Sequence, residues 1–118
     1  MNTKTKAFMA IGMLVIFGIY FSNKLTGNVV AGEFDSFAQC LTEKEIKMYG
    51  TEWCPHCKDQ KGLFGNSFDY VDYIDCDKDR NICTLAGVTG YPTWKINGQN
   101  YPGTQQLSRL SELSECEL

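Results

Sequence analysis

The sequence predicts an α/β domain built on a mixed four-stranded sheet with helices on its faces. An alternating segment at Ile46–Gly50 is followed by a segment that suits a helix and then by a second alternating segment. That order predicts two parallel strands joined by a helix. Further on, the turn-forming pair Asn97-Gly98 separates Thr93–Ile96 from Gln99–Tyr101, which predicts an antiparallel hairpin. Four strands of mixed direction follow from these observations.

The other elements are predicted from apolar spacing and composition. Apolar residues three and four positions apart favour a helix at the start of the domain and another at its end. Aromatic and β-branched residues favour a strand after the second helix. In chain order we predict a helix at Phe34–Glu43, a strand at Ile46–Gly50, a helix at Cys54–Phe64, a strand at Phe68–Ile74, a short helix within Asp75–Gly87, the hairpin strands Thr93–Ile96 and Gln99–Tyr101, and a helix at Thr104–Leu113.

Charge is distributed unevenly along the 118 residues. Residues 1–31 contain Lys4, Lys6 and Lys24 and no acidic residue, whereas residues 32–118 contain eight basic and fourteen acidic residues. Proteins that bind nucleic acid need a clustered basic face, so the acidic domain argues against nucleic acid as a partner.

The amino-terminal segment has the pattern of a membrane anchor or a signal sequence. Ala7 to Phe21 is an unbroken apolar run, which as a helix spans about 22 Å, and extension to Leu25 approaches the roughly 30 Å hydrocarbon core of a bilayer. The preceding lysines predict a cytoplasmic amino terminus. We therefore predict one transmembrane or signal helix in residues 1–25, a linker in residues 26–33 and the globular domain in residues 34–118.

Cleavage is the alternative to a retained anchor. Val29 and Ala31 satisfy the small-residue rule for a signal peptide that is cut after Ala31. Both alternatives place the globular domain on the extracytoplasmic side of a membrane.

The chemistry of the chain is concentrated in Trp53-Cys54-Pro55-His56-Cys57, between a predicted strand and a predicted helix. A helix start offers unpaired N–H groups and the positive end of the helix dipole, and both favour a thiolate. We predict Cys54 as the nucleophile and Cys57, one turn further on, as the resolving thiol. Pro55 suits the first helical position, and His56 can place a positive charge or a hydrogen bond near the Cys54 sulfur.

Two other roles for the cysteine pair are alternatives to redox chemistry. A structural disulfide is one, and a copper or zinc site that uses Cys54, Cys57 and His56 is the other. Zinc would need a second ligand pair at matching spacing, but six residues separate Cys76 from Cys83. The pattern therefore favours thiol–disulfide exchange, with no metal and no other cofactor.

Two motifs resemble the thioredoxin superfamily over about residues 44–115. They are Trp53–Cys57 after a strand and Gly87–Thr93 before the hairpin. The resemblance implies a thioredoxin-like fold in which Pro92 is a cis-proline that faces the cysteine pair. It also implies that the backbone of Tyr91 pairs with a bound substrate strand.

A closer resemblance concerns the direction of exchange. The Pro55-His56 dipeptide is the one found in the oxidising, DsbA-like branch. Phe37–Cys57 and Tyr91–Gly103 are similar to the thioredoxin-like domain that accompanies bacterial and plant vitamin K epoxide reductase homologues. This implies exported thiol-bearing proteins as substrates and a quinone-linked membrane oxidoreductase, related to vitamin K epoxide reductase or DsbB, as partner.

The chain departs from the thioredoxin pattern at Met48. Thioredoxins have a buried acid six residues before the nucleophile, and Met48 occupies that position. The proton relay that the acid supports is thereby in doubt, and Glu45 and Glu52 are not obvious substitutes. The departure argues against an efficient general reductant.

The remaining predictions concern Trp53 and the other four cysteines. Trp53 either contacts substrates beside the cysteine pair or belongs to the core. For the other cysteines we favour structural disulfides that join Cys76 to Cys83 and Cys40 to Cys116, while a second redox relay at Cys76 and Cys83 and buried reduced thiols are the alternatives.

The function predicted from the sequence is that of a membrane-anchored, extracytoplasmic protein thiol–disulfide oxidoreductase that donates disulfides. A reductase or isomerase fed by a membrane thiol carrier is one alternative. A copper- or zinc-binding protein is the other.

Overall fold

A computed structural model of the chain describes residues 32–118. The predicted anchor or signal helix in residues 1–25, and all of the predicted linker before Gly32, lie outside the described residues. Within residues 32–118, none of the helices has both the length and the apolar character needed to cross a membrane.

Four strands, four α-helices and a 3-10 helix make up the described residues. The helices are α1 (Asp35–Glu43), α2 (Pro55–Phe64), α3 (Arg80–Leu85) and α4 (Leu107–Ser114), with the 3-10 helix at Gly65–Tyr70 after α2. The strands are β1 (Lys47–Gly50), β2 (Asp72–Asp75), β3 (Thr93–Ile96) and β4 (Gln99–Pro102).

The strands form one mixed sheet in the order β2-β1-β3-β4. Strand β1 pairs in parallel with β2 and antiparallel with β3, and β3 pairs antiparallel with β4. Asn97 and Gly98 form the turn between β3 and β4 with φ angles of 50° and 79°. Positive φ at both positions is what a tight type I′ turn requires. The predicted four-stranded mixed sheet and its hairpin are confirmed.

Neighbouring residues of β1 point to opposite faces of the sheet, and each face has its own hydrophobic cluster. Met48 belongs to the larger cluster, which includes Leu41 of α1, Phe64 of α2 and Leu110 of α4. Tyr49 belongs to the smaller one, with residues of β2, α3 and the segments beside them. Helices therefore cover both faces of the sheet.

The predicted strand at Phe68–Ile74 is wrong in its first half. Gly65–Tyr70 is a 3-10 helix, and the strand covers only Asp72–Asp75. The Phe68 ring packs edge-on against Phe64 at 6.0 Å and against Tyr73 at 5.7 Å between ring centroids. These tertiary contacts override the β-propensity of the aromatic residues.

The last helix begins later than predicted. Residues 104–106 precede α4 and are held to α2 by side-chain contacts. The Thr104 hydroxyl donates to the His56 carbonyl at 3.1 Å, and the Gln105 N–H donates to Oε1 of Gln60 at 2.7 Å. Hydrogen bonds to α2 therefore take the place of a first helical turn.

Gly50, the last residue of β1, brings α2 close to the sheet. A Cβ atom at Gly50 would lie 2.8 Å from Sγ of Cys57, a distance that side-chain carbon atoms do not tolerate. In contrast, a Cβ atom at Gly62 within α2 would meet no atom within 4 Å.

We predict that Gly50→Ala lowers the free energy of unfolding by about 1–3 kcal/mol, because overpacking forces the sulfur or the strand to move. The matched control Gly62→Ala should raise it by about 0.5–1 kcal/mol, because alanine favours a helix interior over glycine. Urea unfolding of the two variants and the wild type measures both changes. A Gly50→Ala variant as stable as Gly62→Ala would show that the close contact does not constrain the fold.

Candidate dithiol site

The first turn of α2 carries both reactive cysteines. Cys54 is the N-cap residue of α2 and has an extended backbone, and Pro55 occupies the first turn. The backbone N–H of Cys57 donates to Sγ of Cys54 at 3.1 Å. The sulfur thus fills the role that an oxygen usually has in an N-cap, and it lies where the unpaired N–H groups favour negative charge.

The two sulfurs have different surroundings. Both residues are free cysteines, but Cys57 is completely buried, whereas Cys54 retains 4% of its surface exposed. Burial first, and then the interaction with Cys54, raise the pKa of Cys57 to about 12, although the Thr51 backbone and the Lys61 ammonium oppose the shift. Cys57 is therefore a neutral thiol near pH 7.

Met48 is completely buried in β1, so the position of the acid in thioredoxins is apolar in this chain. The Met48 position pairs with Trp94 of β3 and with Tyr73 of β2. Strand β1 therefore has an apolar side chain, and no carboxylate, at the position of the thioredoxin acid.

The peptide bond between Tyr91 and Pro92 is cis, as the resemblance implies. Pro92 is buried, and Tyr91 is 37% exposed. Among residues 32–118, no hydrogen bond involves the N–H or C=O of Tyr91. These peptide groups are available to an extended chain that lies across the site.

Trp53 lies at the surface beside this loop. Its side chain is 63% exposed, and its ring stands edge-on to Tyr91 with 6.2 Å between centroids. The indole N–H donates to the Asp77 carboxylate at 2.8 Å. Of the two predicted alternatives for Trp53, the structure favours the surface over the core. Sequence reasoning did not identify Asp77, because nothing in the sequence indicates which side chain a carboxylate in a polar loop will bind.

His56 faces solvent in this structure. Nδ1 lies 3.8 Å from the Asp59 carboxylate, and the His56 side chain is 74% exposed. Among the described residues, the hydrogen bond to the Cys54 sulfur comes from the Cys57 backbone and none comes from His56. The contact with Cys54 that the sequence suggested for His56 is thus not formed here.

Gln60 fixes α2 to the sheet, and sequence reasoning missed it. This completely buried amide accepts hydrogen bonds from the Trp94 indole at 2.9 Å and from the Gln105 N–H at 2.7 Å. It also donates to the Gln105 carbonyl at 2.9 Å. Polar groups that are buried in this way need such partners. Nothing in the sequence distinguishes Gln60 from a solvated helix residue.

The other four cysteines form two disulfides, Cys40–Cys116 and Cys76–Cys83, which are the pairs that the sequence favoured. The first ties α1 to the end of the chain. In the second, Cys76 and Cys83 are 2% and 4% exposed, respectively, which favours a structural role over a second redox relay.

The residues described by the structure do not favour a metal site at the dithiol. Within residues 32–118, no three His, Cys, Asp or Glu side chains are grouped as ligands. The imidazole of His56 is directed to Asp59.

We predict that alkylation of the reduced pair is selective for Cys54. Iodoacetamide reacts with thiolates, and Cys57 is both buried and protonated near pH 8. Peptide mapping by mass spectrometry after brief treatment should find the label on Cys54, while the urea-unfolded protein should carry it on both residues. Equal labelling of Cys57 in the folded protein would show that the two thiols do not differ in accessibility and protonation.

No protein-family model matches the chain. Among curated proteins, it is 33% identical to thiol-disulfide oxidoreductase LTO1 of Arabidopsis thaliana, over 92 residues that cover 70% of this chain and 24% of that protein. It is 32% identical to protein disulfide isomerase-like 2-2 of Oryza sativa subsp. japonica, over 79 residues that cover 55% of this chain and 21% of that protein. The chain thus spans about a quarter of the length of these relatives.

Among solved structures, Plasmodium falciparum thioredoxin is similar at 23% identity and a TM-score of 0.47, covering 69% of this chain and 92% of that one. The four-stranded mixed sheet, the cysteine pair at the start of α2 and the cis-proline before β3 are the features that the resemblance in the sequence implied. The chain is therefore similar in sequence to thiol-disulfide oxidoreductases and protein disulfide isomerases.

Proposed function

We propose that this protein is a thiol–disulfide oxidoreductase that exchanges disulfides with thiol-bearing proteins through Cys54 and Cys57. One observation carries the proposal. The sulfur of Cys54 caps a helix and accepts an N–H hydrogen bond, while the sulfur of Cys57 is completely buried behind it. Such a pair has one sulfur suited to attack and one suited to closing the disulfide.

Exchange at this pair proceeds in two steps. A substrate thiolate attacks Sγ of Cys54 in the Cys54–Cys57 disulfide, the bond between the cysteines breaks, and Cys57 leaves as a thiolate that takes up a proton. A second substrate thiolate then attacks the substrate sulfur of the mixed disulfide and releases Cys54. The substrate dithiol is oxidised, the protein disulfide is reduced, and the protons lost by the substrate thiols balance those gained by the cysteines.

The surface beside Cys54 is suited to an extended substrate segment. Trp53 and Tyr91 present two exposed rings, and the peptide groups of Tyr91 have no partner among the described residues. A strand that pairs with these peptide groups would be held by main-chain hydrogen bonds, which are indifferent to sequence. We therefore assign Tyr91, Pro92 and Trp53 to substrate binding.

For the direction of exchange we propose disulfide donation. The Pro55-His56 dipeptide and the buried Met48 support it, the first by resemblance to oxidising proteins and the second because no acid at that position assists a reductant. A reductase or isomerase fed by a membrane thiol carrier is the competing proposal, and the reduction potential of the pair distinguishes the two.

We further propose that the domain works on the extracytoplasmic side of a membrane, anchored by residues 1–25. The apolar run in those residues supports an anchor. The two disulfides also support an oxidising compartment, because such bonds are rare where glutathione keeps thiols reduced. A quinone-linked membrane oxidoreductase would reoxidise the pair in that compartment.

Trapping tests the proposed function. Cys57→Ser should accumulate mixed disulfides between Cys54 and its partners, because the thiol that releases them is absent. Cys54→Ser is the matched control and should trap few. The measurement is nonreducing electrophoresis with mass spectrometry of adducts that dithiothreitol releases.

Two outcomes would count against the proposal. If only Cys54→Ser traps partners, the roles of the cysteines are reversed. If neither variant forms adducts with any thiol protein, the pair does not exchange disulfides.

A further inference from the structure

A cluster of ionisable side chains lies behind the buried cysteine. Lys61, two turns of helix from Cys54 on α2, extends toward Tyr73 of β2 and Glu52 of the loop between β1 and α2. The redox motif itself includes none of the three.

The Lys61 ammonium is held on two sides. Nζ lies 3.3 Å from both carboxylate oxygens of Glu52, and 4.2 Å from the centroid of the Tyr73 ring. Its side chain is 25% exposed, whereas Lys58 on the same helix is an exposed residue. A cation over an aromatic face gains more when it is partly removed from water.

The Tyr73 ring connects this ammonium to the dithiol. A Cβ atom at Gly50 would lie 2.8 Å from Sγ of Cys57 and 3.3 Å from Cε2 of Tyr73. The sulfur and the ring edge therefore border the same small space over Gly50. Lys61 lies against the same ring and approaches the site from α2.

Each exchange cycle forms a thiolate at Cys57, either as the leaving group or as the attacking group. Burial and Cys54 raise the pKa of Cys57, whereas the Thr51 backbone and the positive charge of Lys61 lower it. Tyr73 stays neutral, because burial and the nearby carboxylates of Glu52 and Asp75 raise its pKa.

We infer that Lys61 is a positioning residue for exchange: its ammonium, oriented by Glu52 and the Tyr73 ring, stabilises the Cys57 thiolate and thereby sets the rate at which Cys57 attacks or leaves. The inference rests on the proposed function but holds for either direction of electron flow. Lys61, which lies on a helix, also gives the site an ionisable side chain. The neighbouring strand lacks one at the position of the thioredoxin acid, where this chain has Met48.

In the resolving step, the reacting thiols exchange protons only with water. Cys57 loses its proton to water and attacks Sγ of Cys54 in a mixed disulfide. The Cys54–Cys57 bond forms, the bond from Cys54 to the substrate breaks, and the departing substrate thiolate takes up a proton from water. In the reverse step Cys57 leaves with the negative charge. Lys61 neither gains nor loses a proton in either direction.

Lys61→Met tests this role. It removes the charge and keeps an unbranched apolar side chain against Phe68 and Tyr73. We expect the pKa of Cys57, followed by its 13Cβ chemical shift in the reduced protein, to rise. A one-unit rise would slow resolution of a Cys54–glutathione mixed disulfide about three- to fourfold at pH 7, since the thiolate fraction falls tenfold while the nucleophilicity of the thiolate rises with its pKa.

Two controls separate charge from packing. Lys61→Arg keeps the charge and should leave both readouts close to those of the wild type. Lys58→Met removes an exposed charge from the same helix and should leave both unchanged.

Three results would overturn the inference. One is an unchanged Cys57 titration in Lys61→Met, and another is an equal loss in Lys61→Arg, which would show a packing role. The third is an equal effect of Lys58→Met, which would show a general effect of net charge. Failure of the wild type to resolve the mixed disulfide would instead count against the proposed function, while the titration would still report on Lys61.

Discussion

The site depends on the close approach of the Cys57 sulfur to the backbone of Gly50. Only a residue without a side chain at the end of β1 lets the first turn of α2 lie so near the strand. That approach buries Cys57 completely, raises the pKa of its thiol and leaves Cys54 at the helix start as the more accessible sulfur. The difference between two chemically identical side chains thus follows from one contact between a helix and a strand.

Several interactions hold α2 in that position. The buried Gln60 amide joins the helix to Trp94 of the sheet and to the segment before α4. The Thr104 hydroxyl binds the carbonyl of His56 in the first turn. Cys54 and Cys57 are therefore carried by an element that hydrogen bonds hold to the sheet and to the segment before α4, while Trp53 and Tyr91 beside them remain exposed. The cysteine pair is thus held in place next to an exposed aromatic surface.

Much of the fold could be predicted from the sequence because short stretches of neighbouring residues determine it. The Asn97-Gly98 turn specifies its hairpin, and the Cys54-Pro55 start specifies a helix after a strand. The strand at Phe68–Ile74 failed because the rings of Phe64 and Tyr73 determine the conformation around Phe68. Local propensity does not contain that information.

The site itself was predicted only where a motif marks it. The two cysteines and the proline at Pro92 belong to motifs, whereas Gln60 and Lys61 are ordinary polar residues of a helix. Their roles arise from what the fold places opposite them: an indole N–H in one case, and a carboxylate and an aromatic face in the other. Such partners are distant in sequence, so no spacing rule reveals them.

The reduction potential of the Cys54–Cys57 couple tests the central claim most directly. The protein would be equilibrated with glutathione buffers of known potential, and the fraction of the pair in the dithiol form would be measured by alkylation and mass spectrometry. We predict a reversible two-electron couple nearer to the value of DsbA, about −120 mV, than to that of thioredoxin, about −270 mV. A value close to that of thioredoxin, or no reversible couple at these two residues, would contradict it.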